Sequence, residues 1–312
     1  VNWQPTASIQ ALKARACLYQ QLRAFFHARG VLEVETPALS QAGNTDPQIS
    51  SFSVNTPQGL RYLHTSPEYP MKRLLAAGSG DIYQLCKVWR QDEAGRKHNP
   101  EFTMLEYYRV GFTYQQLMQE VTELLHLVLP QLTTEPRILS YRQAFLEILG
   151  LDPHQASIEQ LKACAQQQQL DVQGELSQQA WLDLLFTHCI EASFPNDRLT
   201  FICHYPAKQA ALARVRLEEG QWVAERFEVY LGPLELGNGY QEQTDAAQLE
   251  RVLVADAKQQ TQALPLDLRF IAAVQAGLPF SAGIALGVDR ILLCRLQAKQ
   301  LPSLLSFAWE LA

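Results

Sequence analysis

Residues 98 to 108 read HNPEFTMLEYY and alternate with the period of a β-strand. Phe102, Met104, Glu106 and Tyr108 share one face; Thr103, Leu105 and Tyr107 share the other. The first face sets a carboxylate between a methionine and a tyrosine. A buried, unpaired carboxylate is costly and either shifts its pKa or finds a cation. So either this face is wet, or something positively charged is meant to meet Glu106.

Other runs of strand character are scattered along the chain. They are residues 60–64 and 81–89, then LTFICHYP, WVAERFEVYLGPLELGNGY with a turn at Gly232-Pro233, and SAGIALG running into a helix. VLEVETPAL is a short β segment closed by Pro37. Helical runs separate them. Residues 11–29 carry Leu18, Leu22, Phe25 and Phe26 at helical spacing before Gly30 stops the helix. EYPMKRLLAAG is a second helix, and residues 113–129 turn Leu117, Val121, Leu124, Leu125 and Val128 inward. From about 130 to 195 the pattern becomes helical, as in YRQAFLEILG and IEQLKACAQQQQL, and reads as a helical insertion. Strands gathered from distant stretches, with helices around them, predict one α+β domain over residues 1–312 with an antiparallel-dominated sheet flanked by helices. Neither GxxxxGK[ST] nor GxGxxG occurs, so an ATP site would be of another kind.

Composition narrows the function. With 47% hydrophobic and 19% charged residues, the 312-residue chain can build a real core. No apolar run reaches membrane-spanning length, and the N-terminus lacks the basic flank and apolar run of a secretory signal. A net charge of −6 argues against broad binding to nucleic acid. The six cysteines form no CxxC pair, which points to reduced thiols and a cytoplasmic location.

Three segments gather charge where burial is expected. WRQDEAGRKHNPEF puts Arg90 at a strand end before a charged loop, suited to holding phosphates, with Phe102 beyond it to stack on a base; a solvated hairpin is the plainer reading. LELGNGYQEQ supplies Glu235 and Glu242. Seven residues apart, they face opposite ways on a regular strand unless Gly237 and Gly239 permit a bend, and converged they would suit Mg²⁺. GIALGVDRILL puts Gly283, Gly287 and Arg290 at a strand-to-helix junction that favours close approach of an anion, or simply forms an Asp289–Arg290 structural pair.

Taken together, these segments resemble the catalytic core of class II aminoacyl-tRNA synthetases, and lysyl-tRNA synthetases in particular. VLEVETP is similar to the end of the first class motif, WRQDE through HNPEFTMLEYY to the second, and GVDR to the third; TSPEYPMKRLL is similar to the lysine branch. The likeness runs from about residue 11 to the end and leaves no room for the N-terminal anticodon-binding barrel of those enzymes. That pattern resembles the truncated bacterial paralogues that activate β-lysine with ATP and pass the β-lysyl group to a lysine of elongation factor P. The resemblance implies a homodimer and no tRNA partner. It assigns Arg90, Gln91, Asp92, His98, Phe102, Glu235, Leu236, Gly287 and Arg290 to ATP, with Arg90 and Arg290 catalytic at the α- and γ-phosphates. It assigns Ser66, Pro67, Glu68, Glu106, Tyr108, Glu242 and Ala285 to the amino acid, with Glu106 and Glu68 awaiting its two amino groups, and Glu235 and Glu242 to Mg²⁺. Two departures stand out. Arg90-Gln91-Asp92 replaces the usual Arg-x-Glu, with Glu93 as a possible substitute, and Ala285 stands where lysyl-tRNA synthetases have glycine. Other readings are a truncated synthetase that charges a tRNA or another amine, and a non-catalytic sensor of ATP and lysine.

Overall fold

The computed structural model describes residues 3–91, 93, 95–132, 134–260 and 264–312. In chain order the strands are β1 (Leu32–Glu33), β2 (Leu39–Ser40), β3 (Ser53–Thr56), β4 (Gly59–Leu63), β5 (Ile82–Trp89), β6 (Glu101–Val110), β7 (Arg137–Ser140), β8 (Leu199–Pro206), β9 (Val215–Glu218), β10 (Gln221–Leu231), β11 (Leu234–Gln241) and β12 (Ser281–Gly287). The helices are α1 (Ile9–His27), α2 (Glu68–Ala76), α3 (Tyr114–Val128), α4 (Tyr141–Leu149), α5 (Ile158–Gln167), α6 (Gln178–Leu185), α7 (Ala246–Ala257), α8 (Leu268–Gly277) and α9 (Val288–Arg295). None is long and apolar enough to cross a membrane.

The chain divides into two compact units. The first takes Val1–Gln131, Ala211–Arg214 and Gly239–Ala312; the second takes Leu132–Ala210 and Val215–Asn238. The chain passes between them within β11.

In the first unit the strand order is β1-β5-β6-β12-β11. The β1–β5 pair is parallel, and β5–β6 and β6–β12 are antiparallel. Both faces of β6 are covered, so residues Thr103 to Tyr108 are all buried. The amphipathic helices meet their expectations. Leu18, Leu22, Phe25 and Phe26 of α1 are buried, as are Leu117, Val121, Leu124, Leu125 and Val128 of α3. Burial of each such side chain stabilises by roughly 1.5–3 kcal/mol. A capping box between Thr113 and Gln116 starts α3, and Gly30, at φ +67°, ends the turn after α1. Helices α7 and α8, which carry no strong pattern in the sequence, pack with α2 in a core of Met71, Leu75, Leu253, Phe270 and Val274.

The second unit is more than helical. It holds α4, α5 and α6 together with β7, β8, β9 and β10, so the stretch at 130–195 is one part of a larger mixed unit. β7 pairs parallel with β8, and β8 and β9 pair antiparallel with β10. The turn into β11 demands glycine: Gly232 has φ +55°, and a Cβ there would lie 2.1 Å from the Asn196 side-chain oxygen.

The cysteines are all free thiols, two of them buried.

Candidate active site

Strand register lines up the site. On β6, Glu106 lies opposite Ala285 of β12 on one side and Gln84 of β5 on the other, while Tyr108 lies opposite Gly283 and Ile82. These pairs share one sheet face because side chains alternate in step on neighbouring strands.

Glu106 is 2% exposed. The Ser66 hydroxyl donates to its Oε2 at 2.6 Å, and the Tyr108 hydroxyl donates to its Oε1 at 2.6 Å. Burial pushes its pKa up to about 7; the Glu68 charge adds to this, and the two hydroxyls and Lys72 oppose it. The face at Glu106 is therefore dry, and no basic side chain of the described residues pairs with it directly.

Glu68 begins α2, with Pro67 as the preceding cap residue, and its backbone N–H donates to Ser66 Oγ at 3.0 Å. Its carboxylate is taken: Lys72, one helical turn on and 2% exposed, places Nζ 2.5 Å from Glu68 Oε1 and 2.5 Å from Glu242 Oε2. Burial alone would lower the Lys72 pKa, but Glu242 and Glu68 outweigh it and hold the ammonium well above its ordinary value.

Glu242 is 1% exposed. Its backbone N–H donates to the Ser281 carbonyl at 3.0 Å. The preceding Gln241 donates to the same carbonyl and accepts the Tyr114 N–H, fixing the end of β11. Glu242 Oε1 has no hydrogen-bond partner. A Cβ added at Gly283 would meet that oxygen at 2.8 Å and the Tyr108 ring at 2.3 Å, so glycine is required there. Contacts thus run in a closed ring: Glu106, Ser66, Glu68, Lys72, Glu242, past Gly283 to Tyr108, and back to Glu106.

Farther along the same face of β6 stands Phe102. The Arg90 guanidinium lies 5.2 Å from its ring centroid, a cation–π distance, and also reaches the Thr65 carbonyl and Glu93. His98 Nε2 lies 2.7 Å from the Arg290 guanidinium. Burial and then Arg290 lower the His98 pKa, so the neutral ring accepts this hydrogen bond. A cleft of about 200 Å³ opens beside His98, lined by Asn99, Pro100, Pro302 and Trp309 among others. Gln91 is held by its backbone to Ser50, and Asp92 lies outside the described residues. Gly287 caps α9, where a Cβ would touch Arg290 only at ordinary contact distance. Asp289 is not Arg290's partner. It pairs with Arg15 at 2.5 Å and accepts the Thr103 N–H at 2.6 Å, tying α1, β6 and α9 together.

Glu235 and Leu236 belong to the second unit, where Glu235 is half-buried with its charge felt by Tyr230, and Leu236 is buried. β11 runs unbroken from Leu234 to Gln241, and neither Gly237 nor Gly239 takes a positive φ. Among the described residues, no three or more His, Cys, Asp or Glu side chains gather to hold a metal.

Lys72 is the member of this ring of contacts that the sequence reading missed. Its signal, a Glu and a Lys four apart on a helix, is the usual mark of a solvated surface pair.

This site and fold define a class II synthetase catalytic unit, and the chain belongs to the class II tRNA synthetases of the D, K and N group, whose family model matches residues 2–310. Within that family it is similar to the elongation factor P–(R)-β-lysine ligase of Haemophilus ducreyi, at 44% identity over 323 residues, covering 100% of this chain and 98% of the relative. The ligases of the same name from Pasteurella multocida and Proteus mirabilis are each 45% identical, over 319 and 318 residues; they cover 99% and 98% of this chain and 98% and 97% of the relatives.

Proposed function

We propose that this protein is an ATP-dependent ligase that activates (R)-β-lysine as its adenylate and passes the β-lysyl group to a lysine side chain of elongation factor P. One observation carries the reading most. A single face of β6 bears an aromatic beside an arginine at Phe102 and a buried, partly desolvated acid at Glu106, four residues on. At the rise of a strand that is about 13 Å, room for a nucleotide and an amino acid laid end to end. The relatives' names support the substrate and the acceptor.

In the first step the lysine carboxylate attacks the α-phosphorus and pyrophosphate leaves. The chain contributes position and charge. Arg90 neutralises the α-phosphate, Phe102 stacks on adenine, and Arg290, oriented by His98, meets the γ-phosphate. Glu106 exchanges its Ser66 and Tyr108 hydroxyl partners for a substrate ammonium, and Ala285, across from it, shapes the floor. In the second step a neutral lysine amine of the acceptor attacks the adenylate carbonyl and AMP leaves with the bonding pair.

Glu235 and Glu242, the acids that the resemblance assigns to Mg²⁺, belong to different compact units; Mg²⁺ would come with the ATP and neutralise its phosphate charge, while Glu242 Oε1 is kept for the substrate. The protein works in the cytoplasm as a homodimer joined at the segment around β1 and β2. Leu32 and Leu39, exposed at 55% and 41%, support that interface.

The test is the intact mass of purified elongation factor P after incubation with ATP, Mg²⁺ and each lysine isomer in turn. A β-lysyl addition is expected. Charging of tRNA with no change in elongation factor P would overturn the reading in favour of a truncated synthetase.

A further inference from the structure

The ring of contacts contains three carboxylates, Glu68, Glu106 and Glu242, and one ammonium, Lys72. With all three ionised, as ammonium groups bound against them favour, the one built-in positive charge leaves two negative ones uncompensated. The proposed substrate brings two ammonium groups. Lys72 has no freedom to serve solvent: it is 2% exposed, lies 6.0 Å from the Tyr108 ring centroid and 5.9 Å from that of Phe270, and touches both Glu68 and Glu242. Glu68 Oε1 is therefore occupied by the chain itself, while Glu242 Oε1 remains without a hydrogen-bond partner in the interior.

We propose that Lys72 is a specificity-determining positioning residue: it occupies Glu68 so that the substrate's ammonium groups settle on Glu106 and Glu242, and it sets the charge the site can accept at two positive units. The proposal rests on the function stated above. It revises one expectation from the sequence, in which Glu68 itself met the second amino group. The physical reason is competition. A carboxylate pair stripped of its internal cation recruits the nearest ammonium, and that is then the substrate's own. Seated between Glu68 and Glu242, the substrate would present its carboxylate out of line with the α-phosphate, and small misplacements of that kind cost rate steeply.

The experiment is lysine-dependent ATP–pyrophosphate exchange with the full chain. In Lys72→Met, kcat is expected to fall at least about tenfold while KM for ATP stays within about twofold, as for a lost alignment and not a lost nucleotide site. The double variant Lys72→Met/Glu68→Gln returns the uncompensated charge to two and is expected to recover most of that loss. A packing role for Lys72 gives a double variant no better than the single one, and that result overturns the proposal, as does an unchanged Lys72→Met. Should Lys72→Met fail to fold, Glu68→Gln alone decides. It leaves one uncompensated carboxylate, so preference for lysine over the uncharged analogue norleucine should drop about tenfold, the size of one charged hydrogen bond; full retention of that preference sinks the idea. Wild-type protein without exchange on any lysine isomer would instead defeat the functional reading on which this rests.

Discussion

Glu106 shows how one buried side chain ties pH to stability. Its folded-state pKa, near 7, lies above the ordinary 4.5, so the folded protein holds this proton more tightly than the unfolded chain does. Its contribution to stability is therefore lost as pH rises from about 4.5 to 7. An ammonium bound against it favours the carboxylate and reverses the trend. The rise in melting temperature produced by saturating lysine is thus expected to be larger at pH 8 than at pH 6, and a shift independent of pH would remove Glu106 from the ammonium site. Gly283 is a second such residue. Its missing side chain is the space that the Tyr108 ring and Glu242 Oε1 fill. Gly283→Ala should cost about 1–3 kcal/mol in chemical denaturation, as overpacking does, and abolish lysine-dependent exchange. Ala285 faces Glu106 directly across the β6–β12 pair. One methyl there is worth about 1–3 kcal/mol of discrimination, so Ala285→Gly should shift relative exchange rates from β-lysine toward α-lysine.

At the scale of elements, the site depends on how α9 is seated. Arg290 is the third residue of that helix, and its height is set by its neighbour Asp289, which grips the Thr103 N–H of β6 and Arg15 of α1. Removing one partner of a buried ion pair strands the other charge. Asp289→Ala should therefore lower unfolding stability by about 3–5 kcal/mol and raise KM for ATP, because Arg290 loses its footing. Equal stability in a urea titration would show that the staple is dispensable. The strands and amphipathic helices that carry these residues were legible in the sequence, since periods of 2 and 3.6 survive wherever one face is buried. Helices α7 and α8 were not. They share one core with α2, and α8 brings Phe270 against Lys72; what they cover is visible only when they are packed.

On the scale of the whole molecule, the two units divide the residues assigned to the site. Arg90, Phe102, Glu106, Glu242 and Arg290 fall in the first unit, and Glu235 and Leu236 in the second. Light scattering is expected to give twice the mass of the chain, and Leu32→Asp, a change at an exposed position, should halve that value without altering the far-ultraviolet spectrum. A wild-type monomer would dispose of the dimer.

The residue order alone determined the period of the strands, the turn at Gly232, the helix stop at Gly30, and the motifs through which the chain resembles its family. Only the tertiary structure decided that both faces of β6 are dry, that Asp289 belongs to Arg15, and that Lys72 spends its charge on Glu68 and Glu242. The reason is physical. Backbone periodicity is a local property written in neighbouring residues, whereas the state and partner of a charge depend on the dielectric around it, which distant segments create when they exclude water.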